Sequence, residues 1–346
     1  NSSRVSNKSN KQDACATVTN SSRVSNKSNK QDACATVKVL NWEMGKPIDD
    51  FINIFNEESF EIEQKALKPE GWQLENNTVL QLLEKLKNTG TPLGEYVNGK
   101  FYYGIKTGFN QAFIVDRKTR DRLINKHPSS EEVLKPFLRG KDVKRWVVNN
   151  PDLWLIFTRR GIDINQYPAI LNYLSQYKER LTPGIKGGRK AGSYQWYEIQ
   201  DNIAYYKDFD TPKILYQEIA TYQAFSWDTS GAYSNNKTFL IPDSNLFLLA
   251  LLNSKLVWFF LGYITSKLQG DAFAMQTPYV SQIPIPKPTD TQDACVTEIV
   301  DKILEIKRKN PQTDTTELER EIDEIVYQLY GLTEEEIRII EESVKR

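Results

Sequence analysis

Histidine is nearly absent from this sequence and cysteine is scarce. One histidine, His127, and three cysteines, Cys15, Cys34 and Cys295, are spread over 346 residues. A single imidazole excludes a catalytic triad or metal site built on several histidines. The cysteines all sit in the tetrapeptide Gln-Asp-Ala-Cys, and none falls between positions 35 and 294. Neither a disulfide framework nor a thiolate metal site is expected, and a cytoplasmic location fits such usage. Long apolar runs are missing as well. The most apolar stretch, residues 246–264, is interrupted by Asn253, Ser254 and Lys255, which predicts a buried helix and no membrane association. The polar start carries no signal-peptide pattern. An excess of either charge is lacking too, since 45 Lys and Arg balance 45 Asp and Glu.

What is present suits a packed protein. Hydrophobic residues make up 39% and charged residues 26%, with 7 Trp, 17 Tyr and 15 Phe. Aromatics at this density serve cores and base-stacking surfaces alike. The first 37 residues are a tandem repeat: residues 1–18 read NSSRVSNKSNKQDACATV, and residues 20–37 repeat them letter for letter. Ser, Asn, Lys and Thr dominate it, so disorder is expected. A third fragment, TQDACVT at 291–297, falls in a stretch that reads as a proline-rich linker. The unit looks like a translated interspersed repeat that entered at tolerant places.

Periodicity divides the rest. Residues 38–95 read as a helical connector, in which Val79, Leu80, Leu82, Leu83 and Leu86 form one helical stripe. Asn98 and Gly99 predict a hairpin turn between Tyr96-Val97 and the strand at 101–103. Residues 112–115 should be a strand, 119–126 a short helix closed by His127 and Pro128, 153–158 a strand and 167–181 a helix. Residues 183–193 form a loop rich in glycine and cations. The runs WYEI, AYY, KILYQEI, AFSW and KTFLI between 194 and 242 predict short strands. Residues 278–288 hold four prolines and read as a stiff connector. The end is helical and acidic, broken at Gly331, with Thr333 and Glu336 as a capping box. The expected fold class is α+β. Mixed helices and short strands over 96–288 are followed by a linker and C-terminal helices over 289–346.

The neutral total conceals segregation. Residues 100–190 hold 19 Lys and Arg against 8 Asp and Glu, a net of +11, whereas residues 291–346 hold 8 against 15, a net of −7. A basic segment interleaved with aromatics suits a phosphate backbone, although a solvated basic surface has the same composition. The loop with Lys186, Arg189 and Lys190 is the sharpest candidate, because glycines let backbone approach a groove. Trp196 and Tyr197 follow, either stacking on a base or anchoring the loop in the core.

Motifs for chemistry are missing. A methyltransferase acting on adenine N6 or cytosine N4 needs a glycine-rich loop for S-adenosylmethionine and an Asp/Asn/Ser-Pro-Pro-aromatic tetrapeptide for the flipped base. Neither occurs; Asn150-Pro151-Asp152-Leu153 matches only two letters. No GxxxxGK[ST] and no Cys/His zinc pattern exists. Asp208, Asp210 and Lys213 near Pro212 are in the wrong order for a nuclease and read as a surface turn.

GIKTGFNQAFIVD at 104–116 and LRGKDVKRW at 138–146 carry a resemblance. With SFEI at 59–62, LKPEGW at 67–72, the run from PKILYQEI to FSWD at 212–228, LLNSKLVWFF at 251–260, SQIPIP at 281–286 and the tail at 322–337, the chain resembles a known family over about 56–340. That family is the TaqI-like C-terminal specificity domain of type IIG restriction–methylation enzymes and adenine-specific DNA methyltransferases. The resemblance implies a target-recognition domain over 96–288 that contacts the major groove of double-stranded DNA. It implies no cofactor within this sequence; S-adenosylmethionine, and any Mg²⁺, would belong to a methyltransferase or endonuclease domain or subunit acting as partner. The family's catalytic motif lies upstream, so the resemblance implies a truncated gene, a separate specificity subunit, or a start replaced by the repeat. Candidate contacts are Lys106, Thr107, Asn110, Gln111, Arg139, Lys141, Lys186, Arg189 and Lys190, since cations suit guanine edges and amides suit adenine. The stretch 106–111 either contacts DNA or shapes a hairpin, and 139–141 either contacts DNA or pairs with Asp142 or Asp116. Tyr222 and Trp227 read as structural. An intact methyltransferase or nuclease with an unrecognised site, and a protein-interaction scaffold with a basic face, are the alternatives.

Overall fold

In the computed structural model of the protein, residues 14–17, 36–41, 48–67 and 75–344 are described. They divide into two compact units, residues 1–85 and 86–346. In the first unit, strand Thr36–Asn41 lies antiparallel between Ala14–Thr17 and Phe60–Glu63. Alternation makes this strand: Val37 and Val39 are buried with Ile62, while Thr36 and Lys38 are exposed. The stretch expected to be a helical connector therefore also contributes strands, because a period of two prevails at its start. The tandem repeat lies outside the described residues apart from 14–17 and 36–37, and those are strand. Most of LKPEGW also lies outside them. Helix Asn77–Thr89 starts where Asn76 Oδ1 accepts from Val79 N at 2.9 Å. It buries Val79, Leu82, Leu83 and Leu86, the stripe seen in the sequence.

The second unit carries two main sheets. Five strands run in the order Tyr102–Tyr103, Thr238–Pro242, Lys213–Gln217, Ser226–Asp228 and Trp146–Val147, antiparallel except for the last pair. Four run in the order Tyr233–Ser234, Leu134–Leu138, Leu153–Ile156 and Ile114–Asp116, with only the first pair parallel. One apolar core serves both sheets. Phe113, Phe137, Leu155, Ile170, Phe209, Leu215 and Tyr233 are each at most 1% exposed. Burial of each such side chain contributes roughly 1.5–3 kcal/mol.

Several local expectations change. Asn98 and Gly99 take left-handed backbone, with φ of 53° and 72°. The strand that follows pairs with Phe239 and Leu240 instead of folding back on Tyr96, which ends a helical turn. Ala112 and Phe113 lie in the helical turn Asn110–Phe113, and the strand begins at Ile114. The predicted helix at 167–181 is Pro168–Ser175 followed by Lys178–Leu181. KILYQ, SWD and TFLIP are strands, whereas the rings of WYEI and AYY pack onto the core from loops and a 3-10 turn.

The apolar stretch at 246–264 is two helices, Leu246–Leu252 and Lys255–Ile264, bent by 59°. Asn253 builds the break. Its amide donates to Phe225 O at 2.9 Å and accepts from Phe225 N at 3.2 Å, standing in for a neighbouring strand. Ser254 then caps the second helix. Among the described residues no single helix is long and apolar enough to cross a membrane.

TQDACVT belongs to no linker. Thr289 and Gln292 form a capping box that starts helix Asp290–Lys309, and Val296 is buried on it. The proline-rich stretch before it is docked: Pro284–Ile285 pairs with Thr91–Pro92. Helices Thr316–Leu329 and Glu334–Val344 end the described residues. Gly331, at φ 59°, separates them. Thr333 N donates to Glu336 Oε2 at 2.7 Å and Glu336 N to Thr333 Oγ1 at 3.3 Å, the expected capping box.

Candidate nucleic-acid interface

The nine residues singled out in the sequence separate by burial. Arg189 is 4% exposed. Its guanidinium donates to five carbonyl oxygens: Leu181, Thr107 and Glu198 at 2.8 Å each, Trp196 at 3.0 Å and Gln195 at 3.2 Å. Five N–H groups thus meet five acceptors, the full capacity of the side chain. The Tyr194 ring lies 4.6 Å from its central carbon. Burial pushes Arg189 down to about 10, so it stays charged at neutral pH. Arg189 is a clasp between three loops, and its place among the DNA contacts is corrected accordingly.

Three further candidates are also committed within the fold. Thr107 is 1% exposed; its hydroxyl donates to Asn110 Oδ1 at 2.7 Å and accepts from Phe109 N at 3.2 Å, closing the turn. Asn110 is exposed but gives its carbonyl oxygen to that turn. Arg139 is half-buried and holds Asp142 with two bonds of 2.8 and 2.9 Å, while its backbone N–H donates to the same carboxylate. That bidentate pair raises Arg139 above its ordinary pKa. Of the two partners foreseen, Asp142 takes it; Asp116 caps helix Arg117–Lys126.

Lys106, Gln111, Lys141, Lys186 and Lys190 are exposed, and no described carboxylate forms an ion pair with these four lysines. The fold chains their loops together. The Arg189 clasp fixes the 184–190 loop to Thr107. Ile105 N donates to Ser234 O at 2.6 Å, Asn236 N to Ile105 O at 3.2 Å, and Gly140 N to Asn235 Oδ1 at 3.2 Å. Glycine is needed at two of these approaches. A Cβ on Gly104 would lie 2.0 Å from Asn235 O, and one on Gly108, at φ 81°, would lie 2.8 Å from Arg189 Cδ. The sequence did not single out Asn236 and Lys237, which are exposed on the same turn. Lys237 pairs with Glu218 at 2.7 Å. Their signal was an Asn-Asn-Lys turn between two strand patterns.

The remaining motifs are structural. In LRGKDVKRW, Arg145 Nη1 meets Glu319 Oε2 at 2.7 Å and Trp146 Nε1 donates to Glu319 Oε1 at 2.9 Å. Trp146 is held there at φ 74°, a strained value for a bulky residue. Trp196 and Tyr197 pack against the core. Tyr222 is 43% exposed and Trp227 is half-buried. Lys213 does not sit on a surface turn: it is fully buried, 2.6 Å from Asp228, and burial lowers its pKa. Among the described residues no group of three or more His, Cys, Asp or Glu could hold a metal ion.

Residues 135–285 match the TaqI-like C-terminal specificity domain. The chain is 23% identical over 284 residues to the type II methyltransferase M.BstVI of Geobacillus stearothermophilus, covering 80% of this chain and 47% of that protein. It is 26% identical over 274 residues to the type II methyltransferase M.PaeR7I of Pseudomonas aeruginosa, covering 77% and 44%. The chain thus spans less than half the length of these relatives. The structure of the type IIL restriction-modification enzyme MmeI in complex with DNA is similar in fold, with a TM-score of 0.51 and 19% identity over 69% of this chain and 34% of that one.

Proposed function

We propose that this chain, whose residues 135–285 match the TaqI-like C-terminal specificity domain, is the DNA-sequence-reading part of an adenine-specific restriction–modification enzyme. The observation that carries the proposal is the set of unpaired lysines, Lys106, Lys141, Lys186 and Lys190, on loops that hydrogen bonds hold side by side. A duplex would supply an anionic partner for these lysines, of which Lys106 also has the Asp201 carboxylate nearby, accepting from its backbone N–H at 3.1 Å. Gln111 and Asn236, exposed beside these lysines, offer amides suited to adenine edges, and the lysines themselves suit guanine. Methyl transfer from S-adenosylmethionine, and any Mg²⁺-dependent cleavage, is assigned to a catalytic domain or subunit outside these residues. A labelled duplex titrated with the chain between about 50 and 200 mM salt tests the proposal, with affinity expected to fall steeply as salt rises. Replacing Lys106, Lys186 and Lys190 together with Ala should weaken binding at least about 10-fold, with the melting temperature unchanged. Salt-independent binding, as for a protein-interaction scaffold, or unchanged affinity of the triple variant, would overturn it.

A further inference from the structure

Helix Arg117–Lys126 reads RKTRDRLINK, with five cations and one carboxylate in ten residues. Two of the cations serve the fold. Arg117 Nε meets Asp152 at 2.7 Å, and Arg120 pairs with Asp121 at 2.8 Å while its guanidinium lies 4.1 Å over the Trp154 ring. Lys118, Arg122 and Lys126 are exposed, and no described carboxylate forms an ion pair with them. They recur every four residues, so they line one face of the helix over ~12 Å. A shallow groove runs along this face, lined by Arg117, Lys118, Asp121, Arg122, Asn125 and Lys126.

Folding gains little from that stripe. Like charges at four-residue spacing oppose a helix, and Lys118 in the first turn opposes its dipole, while Lys126 in the last turn complements it. The helix is held by other groups: the Asp116 cap, Leu123 in the core, and the two engaged arginines. Aromatic contacts lead from the neighbouring helix Pro168–Ser175 toward the Thr107 turn. The Tyr173 ring is 5.7 Å from Tyr177, and Tyr177 is 6.2 Å from Phe109. The Arg180 guanidinium lies 5.2 Å over Phe109, two residues from the clasped Thr107.

We infer that Lys118, Arg122 and Lys126 form a rail for the phosphate backbone of duplex DNA, a sequence-independent contact beside the base-reading loops. The inference rests on the DNA-reading function proposed above. Along ~12 Å of duplex axis, one strand presents three to four phosphates at roughly one per 3.4 Å, which suits three cations in line. The contact would fix register and orientation and carry no base preference.

The test replaces Lys118, Arg122 and Lys126 together with Gln in the full chain. Binding of a mixed-sequence duplex is measured against salt, beside the unaltered chain and the Lys106/Lys186/Lys190 variant. The slope of log affinity against log salt should become shallower by about 2.7, close to 0.9 per lost contact. The melting temperature should stay the same or rise. An unchanged slope, with the lysine-loop variant still weakened, would overturn the rail and leave the function standing. No salt-dependent binding by the unaltered chain would overturn both.

Discussion

Arg189 gives all five of its N–H groups to backbone carbonyls of three loops. Truncating it leaves buried acceptors with no donor, each costing ~1–3 kcal/mol. Arg189→Ala should therefore destabilise the protein by at least about 3 kcal/mol in urea denaturation. Arg189→Lys should rescue little, because an ammonium lacks the planar fork. Lys186→Ala and Lys190→Ala, two neighbours in sequence, should stay within about 0.5 kcal/mol of the unaltered protein. Equal effects at 186, 189 and 190 would show that the clasp does not hold the loop. The loop's composition could not separate these residues. A cation between glycines suggests exposure, and what buries Arg189 is a set of carbonyls contributed by turns near 107, 181 and 195–198. Lys106, Lys186 and Lys190 were legible because nothing nearby in sequence offers them a carboxylate. Arg139 was half-legible, since Asp142 lies one turn away.

At the scale of elements, helix ends carry the most information. Helix Lys255–Ile264 begins with Lys255 N donating to Asp323 Oδ1 at 2.9 Å, so a carboxylate from helix Thr316–Leu329 sits at its N-terminus. Burial pushes Asp323 up to about 6 despite this bond and the nearby Lys255. An unfolded aspartate titrates near ~3.9. Between those values the folded chain holds more protons than the unfolded one, so this group makes stability fall as pH rises from about 4 to 6. Asp323→Asn keeps an acceptor and has no proton to lose. Its stability relative to the native protein should increase by roughly 1–3 kcal/mol between pH 4 and 7, followed by denaturation at each pH. Parallel pH profiles would contradict that account. Elements governed by neighbours within one turn were legible in the sequence: the Thr333–Glu336 box and the 79–86 stripe. Elements whose partners lie far along the chain were not. Tyr102–Tyr103 has the turn of a hairpin but pairs with Phe239 and Leu240, and Asn253 at the helix bend bonds the backbone of Phe225, 28 residues away.

For the whole molecule, zero net charge hides a basic middle whose cations fall into two classes. Arg139, Arg145 and Arg189 are consumed by Asp142, Glu319 and backbone carbonyls. Lys106, Lys118, Arg122, Lys126, Lys141, Lys186 and Lys190 form no ion pair with a described carboxylate. Both arginines of the family-like motif LRGKDVKRW, Arg139 and Arg145, belong to the first class, and its Lys141 to the second. The central claim is that Lys106, Lys141, Lys186 and Lys190 of the second class, with Gln111 and Asn236 exposed on the same loops, read base sequence. Selection of bound duplexes from a fully randomised pool tests this most directly. Successive rounds with the unaltered chain should enrich one defined motif; a pool that remains random while still bound in a salt-dependent way would contradict sequence reading.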